Sequence, residues 1–406
     1  MKQRQTSKSD KYLKTHSSIY RLNAVADNVL CHKYPTIAVM PAFSEFQYLP
    51  DTLESIANAL EKTDTDSVLI IIVVNNPNVK QCPPAKFADN QQTLKWLQAG
   101  NFPARLHSSL AWIDASSPGM EIKNGSGVGA ARKAGMDTAL SFCDWKKKPL
   151  ILCLDGDTIV ENNYFTAVRE FYSENPAKFA AVVDFHHQKG ETAEEEKAIR
   201  LYESYMVDYV EKLRTSQSPY AYHAIGSTIT CRAEAYIKAG GMRPKKAGED
   251  FYFLQALRKL SPDASIGEIT QTVLHPSARA SDRVPFGTGA RIIELLSDST
   301  TEFPGRYLYN PNIFADLTIL LTSVNNGTFL HSDETSFDSI PDTVTAFLDS
   351  CEFRRIWPKI RKNTPNDPDK IKWAFHTWFD AFRTLKFIHF CELRNPEKYG
   401  RIPNTT

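Results

Sequence analysis

The 406 residues allow two or three domains, and 42% apolar content is enough to build a sizeable core. Lysine and arginine number 48 against 47 acidic residues, so a net charge of +1 gives no chain-wide attraction to nucleic acid, and any bound phosphate must be held locally. Seven cysteines, widely scattered and without a CxxC pair, exclude a disulfide framework and a structural zinc site and suit a reducing compartment, so a cytoplasmic location is expected.

Residues 1–33 read as a basic, polar N-terminal extension with no apolar core of a signal peptide behind it. The longest apolar run, VLIIIVV at 68–74, is far short of the roughly 20 residues of a membrane span, which leaves peripheral contact with the inner membrane face as the only membrane association expected. From residue 36 short apolar runs alternate with helical periodicity, which predicts an α/β domain over 34–292 with a mostly parallel central sheet flanked by helices.

TIAVMPAF is the first strand of that pattern. Leu49, Leu53, Ile56, Ala57 and Leu60 then share a helix face, and SVLIIIVVNN is a fully buried strand. SLAWID at 109–114 is a third strand, GVGAARKAGMDTALSF a helix with a glycine entry, and 149–155 and FAAVVDF further strands. Thr192 with Glu195 forms a capping box for a long helix whose face is Ile199, Tyr202, Met206, Tyr209 and Leu213, and IGEITQTVLHP is a last strand. Residues 293–406 form a mainly helical region, where Asp367-Pro368 starts a helix striped by Ile371, Phe375, Trp378, Phe382, Leu385 and Ile388. That stripe, like Tyr202, Tyr205 and Tyr209, is read as core packing.

Four constellations fall at strand ends or in loops, where α/β proteins place ligands. PAFSE follows the first strand and Asn75-Asn76-Pro77 the second. In NGSGVGAARKAG, Gly125, Gly127 and Gly129 lead into a helix carrying Arg132 and Lys133, an anion site on electrostatic grounds. The dinucleotide fingerprint is disfavoured because its glycines need a strand immediately before them, and ASSPGMEIKN is polar and turn-like. LDGD places Asp155 and Asp157 at a strand end, an arrangement that suits either a turn or a bound cation. Glu249-Asp250 is the fourth. His186 and His187 follow a strand without a defined role, and His275, Arg279 and Arg283 form a donor-rich stretch suited to phosphate or an acidic acceptor.

In order, PAFSE, VVNNP, GVGAARKAG, LDGD, GSTITCRAEAYIKAGGM and GED resemble the successive signatures of family 2 glycosyltransferases with the GT-A nucleotide-sugar-binding fold, over roughly residues 36–255. The resemblance implies Asp155 and Asp157 as ligands of a divalent cation, Mn2+ or Mg2+, that bridges the diphosphate of a nucleotide-diphosphate sugar donor. It implies donor contacts at Pro41, Glu45, Asn75, Asn76, Gly129, Arg132 and Asp155. Asp250 becomes the general base at an acceptor hydroxyl, with Glu249 beside it, and inversion at the anomeric carbon follows.

The match has departures. Ser44 stands where the family commonly has asparagine, Asn75-Asn76 where it has Asp-Asp, and Lys133 where it has asparagine, so the donor base stays open. No QxxRW motif follows, which favours transfer of a single sugar over polymer synthesis. Some GT-A enzymes use a histidine near the position of His275 as a third metal ligand, which makes a retaining enzyme the first alternative. A catalytically inactive nucleotide-sugar binder is the second. A sugar-1-phosphate nucleotidyltransferase ranks low, because PAFSEFQYLPD lacks that class's glycine-rich, lysine-containing loop.

Overall fold

The computed structural model describes residues 10–15, 19–61, 67–77, 79–122, 127–245, 248–282, 287–297, 305–327 and 340–405. By internal contacts the chain groups into two compact units, the first comprising Met1–Thr192, Ala224–Leu260 and Ser265–Ile293 and the second Ala193–His223, Ser261–Ala264 and Glu294–Thr406.

The first unit is built on a nine-stranded sheet: β1 (Asn23–Ala24), β2 (Thr36–Ala42), β3 (Val68–Asn75), β4 (Leu110–Ala115), β5 (Leu150–Cys153), β6 (Ile159–Val160), β7 (Ala180–Phe185), β8 (Ile229–Arg232) and β9 (Ile266–His275), in the order β1-β4-β3-β2-β5-β8-β7-β9-β6. β2, β3, β4, β5, β7 and β9 run one way, and the short β1, β6 and β8 run the other. The chain is therefore the expected α/β architecture, with a parallel heart at β4-β3-β2-β5. Every residue of β2 and β3 is buried, because helices cover both faces of a parallel sheet and its strands become continuous apolar runs.

The helix Leu49–Leu60 buries Leu49, Leu53, Ile56, Ala57 and Leu60, the face read from its periodicity. Val128–Ala139 lies closer to the sheet than an ordinary side chain would permit. A Cβ on Gly135 would stand 2.3 Å from Val39 Cγ1 and 2.9 Å from Val73 Cγ2. Part of the segment read as a polar extension belongs to this unit: Asn23–Ala24 pairs with β4, and the buried Tyr12 hydroxyl donates to Asp137 Oδ1 at 2.9 Å.

The second unit takes in the long helix Ala193–Thr215, which the sequence pattern had placed within 34–292. Its Leu213 joins a core of Ile313, Leu317, Phe347, Trp357, Phe375 and Phe387, and Tyr205 and Tyr209 pack on Tyr309. These tyrosines are packing residues. The C-terminal stripe is broken into two helices, Pro368–Trp378 and Ala381–Arg394, not one. Asp380 has an extended backbone and its side chain accepts from Arg383 N at 3.0 Å, an N-cap that stops one helix and starts the next. Phe382 consequently turns outward while Phe387 enters the core.

Candidate active site

Glu45, Asp155, Asp157 and Glu249 are drawn together by two arginines beyond the ends of β2 and β5. Arg132, on Val128–Ala139, is only 2% exposed. Its Nη2 donates to Asp155 Oδ1 at 2.5 Å, its Nε to Glu249 Oε1 at 3.2 Å and its Nη1 to Leu154 O at 3.1 Å. Burial opposes its charge, yet Asp155 and Glu249 hold the guanidinium above its ordinary pKa. Gly226 makes the room, since a Cβ there would stand 2.4 Å from Arg132 Nη2.

Arg279 performs the second pairing. Its Nη2 donates to Glu45 Oε2 at 2.5 Å and Asp157 Oδ2 at 2.8 Å, and its guanidinium carbon lies 3.7 Å from the centre of the Tyr48 ring. Burial first, and then the Asp155 charge, push the Asp157 carboxyl up to about 6 against the pull of Arg279.

The turn between the two aspartates is set by contact. Gly156 packs so closely on Glu45 that a Cβ would meet its Cγ at 3.2 Å, and Thr52 Oγ1 donates to Gly156 O at 3.1 Å. Gln188 Nε2 donates to Asp157 O at 2.7 Å and His275 O at 2.8 Å, tying the aspartate turn to the end of β9.

Glu249 and Asp250 open the helix Glu249–Arg258, whose N-cap Gly248 has φ 72°, a left-handed conformation that glycine adopts without strain. Glu249 is buried, and its Oε1 accepts from Arg132 Nε. Asp250 Oδ1 accepts from Phe251 N at 2.7 Å. Burial and the adjoining Glu249 carboxylate push the Asp250 carboxyl up to about 7, and Arg132 pulls it the other way. A half-buried carboxylate with that proton affinity is suited to general-base work near neutral pH.

At the ends of β2 and β3, Asn90 holds three segments. It is buried in the helix Pro84–Gln98, its Oδ1 accepts from Ser44 N at 2.9 Å, and its Nδ2 donates to Asn75 O at 2.9 Å and Asn76 Oδ1 at 3.3 Å. Asn75 Oδ1 is buried without a donor among the described residues, an acceptor left open where a donor nucleoside is expected. Pro41 lies two residues past the last β5 partner of β2, Val39↔Cys153. Ser44 has φ 55°, a region that asparagine tolerates and serine rarely visits. Ser44→Asn is expected to raise stability by up to about 1 kcal/mol in urea denaturation.

The glycine entry departs from the expected anion site. Gly129 N donates to Lys245 O at 3.2 Å, and a Cβ on Gly129 would stand 2.9 Å from Glu249 Cβ. Gly129 thus permits close packing against the Glu249 segment. Arg132 is enclosed, and Lys133 is committed to Asp137 Oδ2 at 2.7 Å and Tyr12 Oη at 3.1 Å. Gly125 and Arg283 lie outside the described residues. His187 is buried near Thr288 Oγ1 at 3.3 Å.

Asp155 and Asp157 offer hard carboxylate oxygens, and Asp155 is about one-third exposed, with one oxygen on Arg132 (side-chain exposure 32%). Mn2+ and Mg2+ are commonly held by one or two carboxylates together with substrate phosphates and water, so this pair fits such a cation without a closed protein cage. His275 is not gathered with them: among the described residues no three His, Cys, Asp or Glu side chains form a metal-holding group. Its Nδ1 lies 2.8 Å from His186 O and its Nε2 4.0 Å from Glu161 Oε1. No helix among the described residues is long and apolar enough to cross a membrane.

The sequence signals missed Asn90 and Gln188, and they read Arg132 as a ligand-facing cation. No protein-family model matches the chain, and no curated protein matches its sequence. Among solved structures, S. aureus TarS 1-349 in complex with UDP-GlcNAc is similar over 86% of this chain and 91% of its own, at 10% identity and a TM-score of 0.43. The mannosyltransferase PcManGT from Pyrobaculum calidifontis, in complex with GDP-Man and Mn2+, is similar over 94% and 95%, at 12% identity and a TM-score of 0.38. Likeness at these levels decides nothing about the reaction, which rests on the residues themselves.

Proposed function

We propose that the protein is a metal-dependent glycosyltransferase with a GT-A-type site, moving one sugar from a nucleotide-diphosphate sugar to an acceptor hydroxyl with inversion. The observation that carries this reading is the joining of the LDGD and GED motifs, distant in sequence, through the single buried Arg132. Residues 34–292 hold every side chain the scheme needs.

Asp155 and Asp157 would hold a divalent cation that offsets the charge gathering on the departing nucleoside diphosphate. Asp250 takes the proton of the acceptor hydroxyl as that oxygen bonds to the anomeric carbon and the bond from that carbon to the phosphate oxygen breaks. Glu249 keeps Asp250 basic by like-charge proximity, and Arg132 stops that proximity from driving the acids apart. Asn75 and Asn76, held by Asn90, would contact the nucleoside, and Glu45 sits beside the aspartate turn.

A thermal-shift screen of nucleotide sugars with Mn2+ tests the reading. One donor is expected to raise Tm by several degrees, since ligand at a hundred times its Kd adds about 2.7 kcal/mol. The rise should vanish in EDTA and in Asp157→Ala, with transfer lost in both. A screen in which no nucleotide sugar moves Tm would overturn it.

A further inference from the structure

We propose that Arg279 is the resident countercharge of the metal site, holding Asp157 and Glu45 together until a divalent cation and a diphosphate arrive jointly, and then passing its guanidinium to a phosphate oxygen. The inference deepens the proposed function and rests on it.

One Arg279 nitrogen, Nη2, bridges two carboxylates, Glu45 Oε2 at 2.5 Å and Asp157 Oδ2 at 2.8 Å. The cation therefore neutralises an oxygen that a metal ion would need, and both cannot be served fully by the same carboxylate. Arg279 Nε is buried with no hydrogen-bond partner among the described residues, so the guanidinium holds a donor in reserve. An anion of several oxygens, such as a diphosphate, would satisfy that donor and replace the carboxylate bonds together.

The local structure keeps the guanidinium near the site while leaving it able to turn. Its flat face lies on Tyr48, and its side chain is 13% exposed. Nearby Lys86 pairs with Asp282 Oδ1 at 2.8 Å, joining the chain just beyond Arg279 to the helix Pro84–Gln98, which also anchors Ser44 and Phe46. Arg132 has no such freedom. It is enclosed, and three hydrogen bonds hold it to Leu154, Asp155 and Glu249.

Competition at Asp157 has a thermodynamic consequence. Metal alone must displace Arg279 and binds weakly, whereas a diphosphate gives the displaced guanidinium a new partner and so strengthens metal binding. Removing the guanidinium should improve binding of metal alone and weaken the coupling.

The test is Mn2+ binding to the full chain, followed by the EPR signal of free Mn2+, alone and with UDP, GDP, CDP, ADP or dTDP. In the wild type, the matching nucleoside diphosphate should tighten Mn2+ binding about tenfold or more. Arg279→Met should bind Mn2+ alone about tenfold more tightly than the wild type and lose most of the coupling. Arg279→Lys, which keeps the charge but not the fork, should fall between them, and it carries the test if the methionine variant does not fold. Unchanged affinity for Mn2+ alone in a folded variant, with wild-type coupling intact, overturns the role of Arg279 and leaves the proposed function standing. If no nucleoside diphosphate promotes Mn2+ binding by the wild type, the proposed function fails and this inference with it.

Discussion

Asp250→Asn is expected to lower sugar transfer about a hundred- to ten-thousandfold, the usual contribution of a positioned general base, with donor binding and the fold retained. The amide has nearly the shape of the carboxylate and its oxygen can still accept from Phe251 N, so the helix start at Glu249 need not rearrange. In the wild type, burial and Glu249 raise the Asp250 carboxyl to about 7, so activity should fall with one proton as pH drops through that value, well above the ordinary aspartate range. The sign for stability is the reverse. A carboxyl whose folded pKa is raised favours folding at low pH and loses that contribution between about pH 4 and its raised value. At pH 8 the asparagine variant should therefore melt no lower than the wild type, a loss of activity without a loss of stability. Full transfer by the variant would falsify the assignment of the base.

Arg132→Met should have the largest effect on stability, about 3–5 kcal/mol in urea denaturation, because removing one partner of a buried ion pair strands the other. Two carboxylates would be stranded, Asp155 and Glu249, along with the Leu154 carbonyl. Gly226→Ala crowds the same cluster, bringing a methyl to within 2.4 Å of Arg132 Nη2, and should cost about 1–3 kcal/mol by overpacking. If both variants keep wild-type stability, Arg132 is not the structural link between the two acidic motifs. If instead they keep their fold but lose transfer, the cluster acts by position alone.

Much of the first unit could be read from the chain because its strands obey a simple rule. β2 and β3 fall within about one residue of their expected limits, since a strand buried on both faces leaves an unbroken apolar run. The helix Leu49–Leu60 is legible for the same reason, its buried face following the helical period. Arg132 was misread because its environment is made by residues far away in sequence. An arginine at a glycine-rich helix start reads as a ligand-facing cation, and only the arrival of Leu154, Asp155 and Glu249 encloses it.

Asn90 was invisible for a related reason. Within KFADNQQ it reads as one polar residue among several on a solvated helix, whereas the folded chain buries it against Ser44, Asn75 and Asn76. The break before Ala381 had a local signal, an aspartate able to cap the following turn, but the continuous aromatic stripe masked it. Arg279 was visible as a phosphate-type donor. Its partnership with Glu45 and Asp157 depends on β9 returning to the sheet beside the aspartate turn, which no local pattern encodes.

The central place of β3 also bears on how the chain survives outside its folded state. VLIIIVV carries no charge, proline or glycine, the composition of a segment that pairs readily with copies of itself. In the sheet both its edges are occupied, by β2 and β4. During synthesis β2 is made first, but β4 follows only after the helix Pro84–Gln98, so one edge of this run stays open while that stretch is being made. Heating reopens the same edge in every chain at once, at whatever concentration the sample holds. The buried strand at the heart of the sheet is thus one that needs to be re-covered quickly when the protein cools.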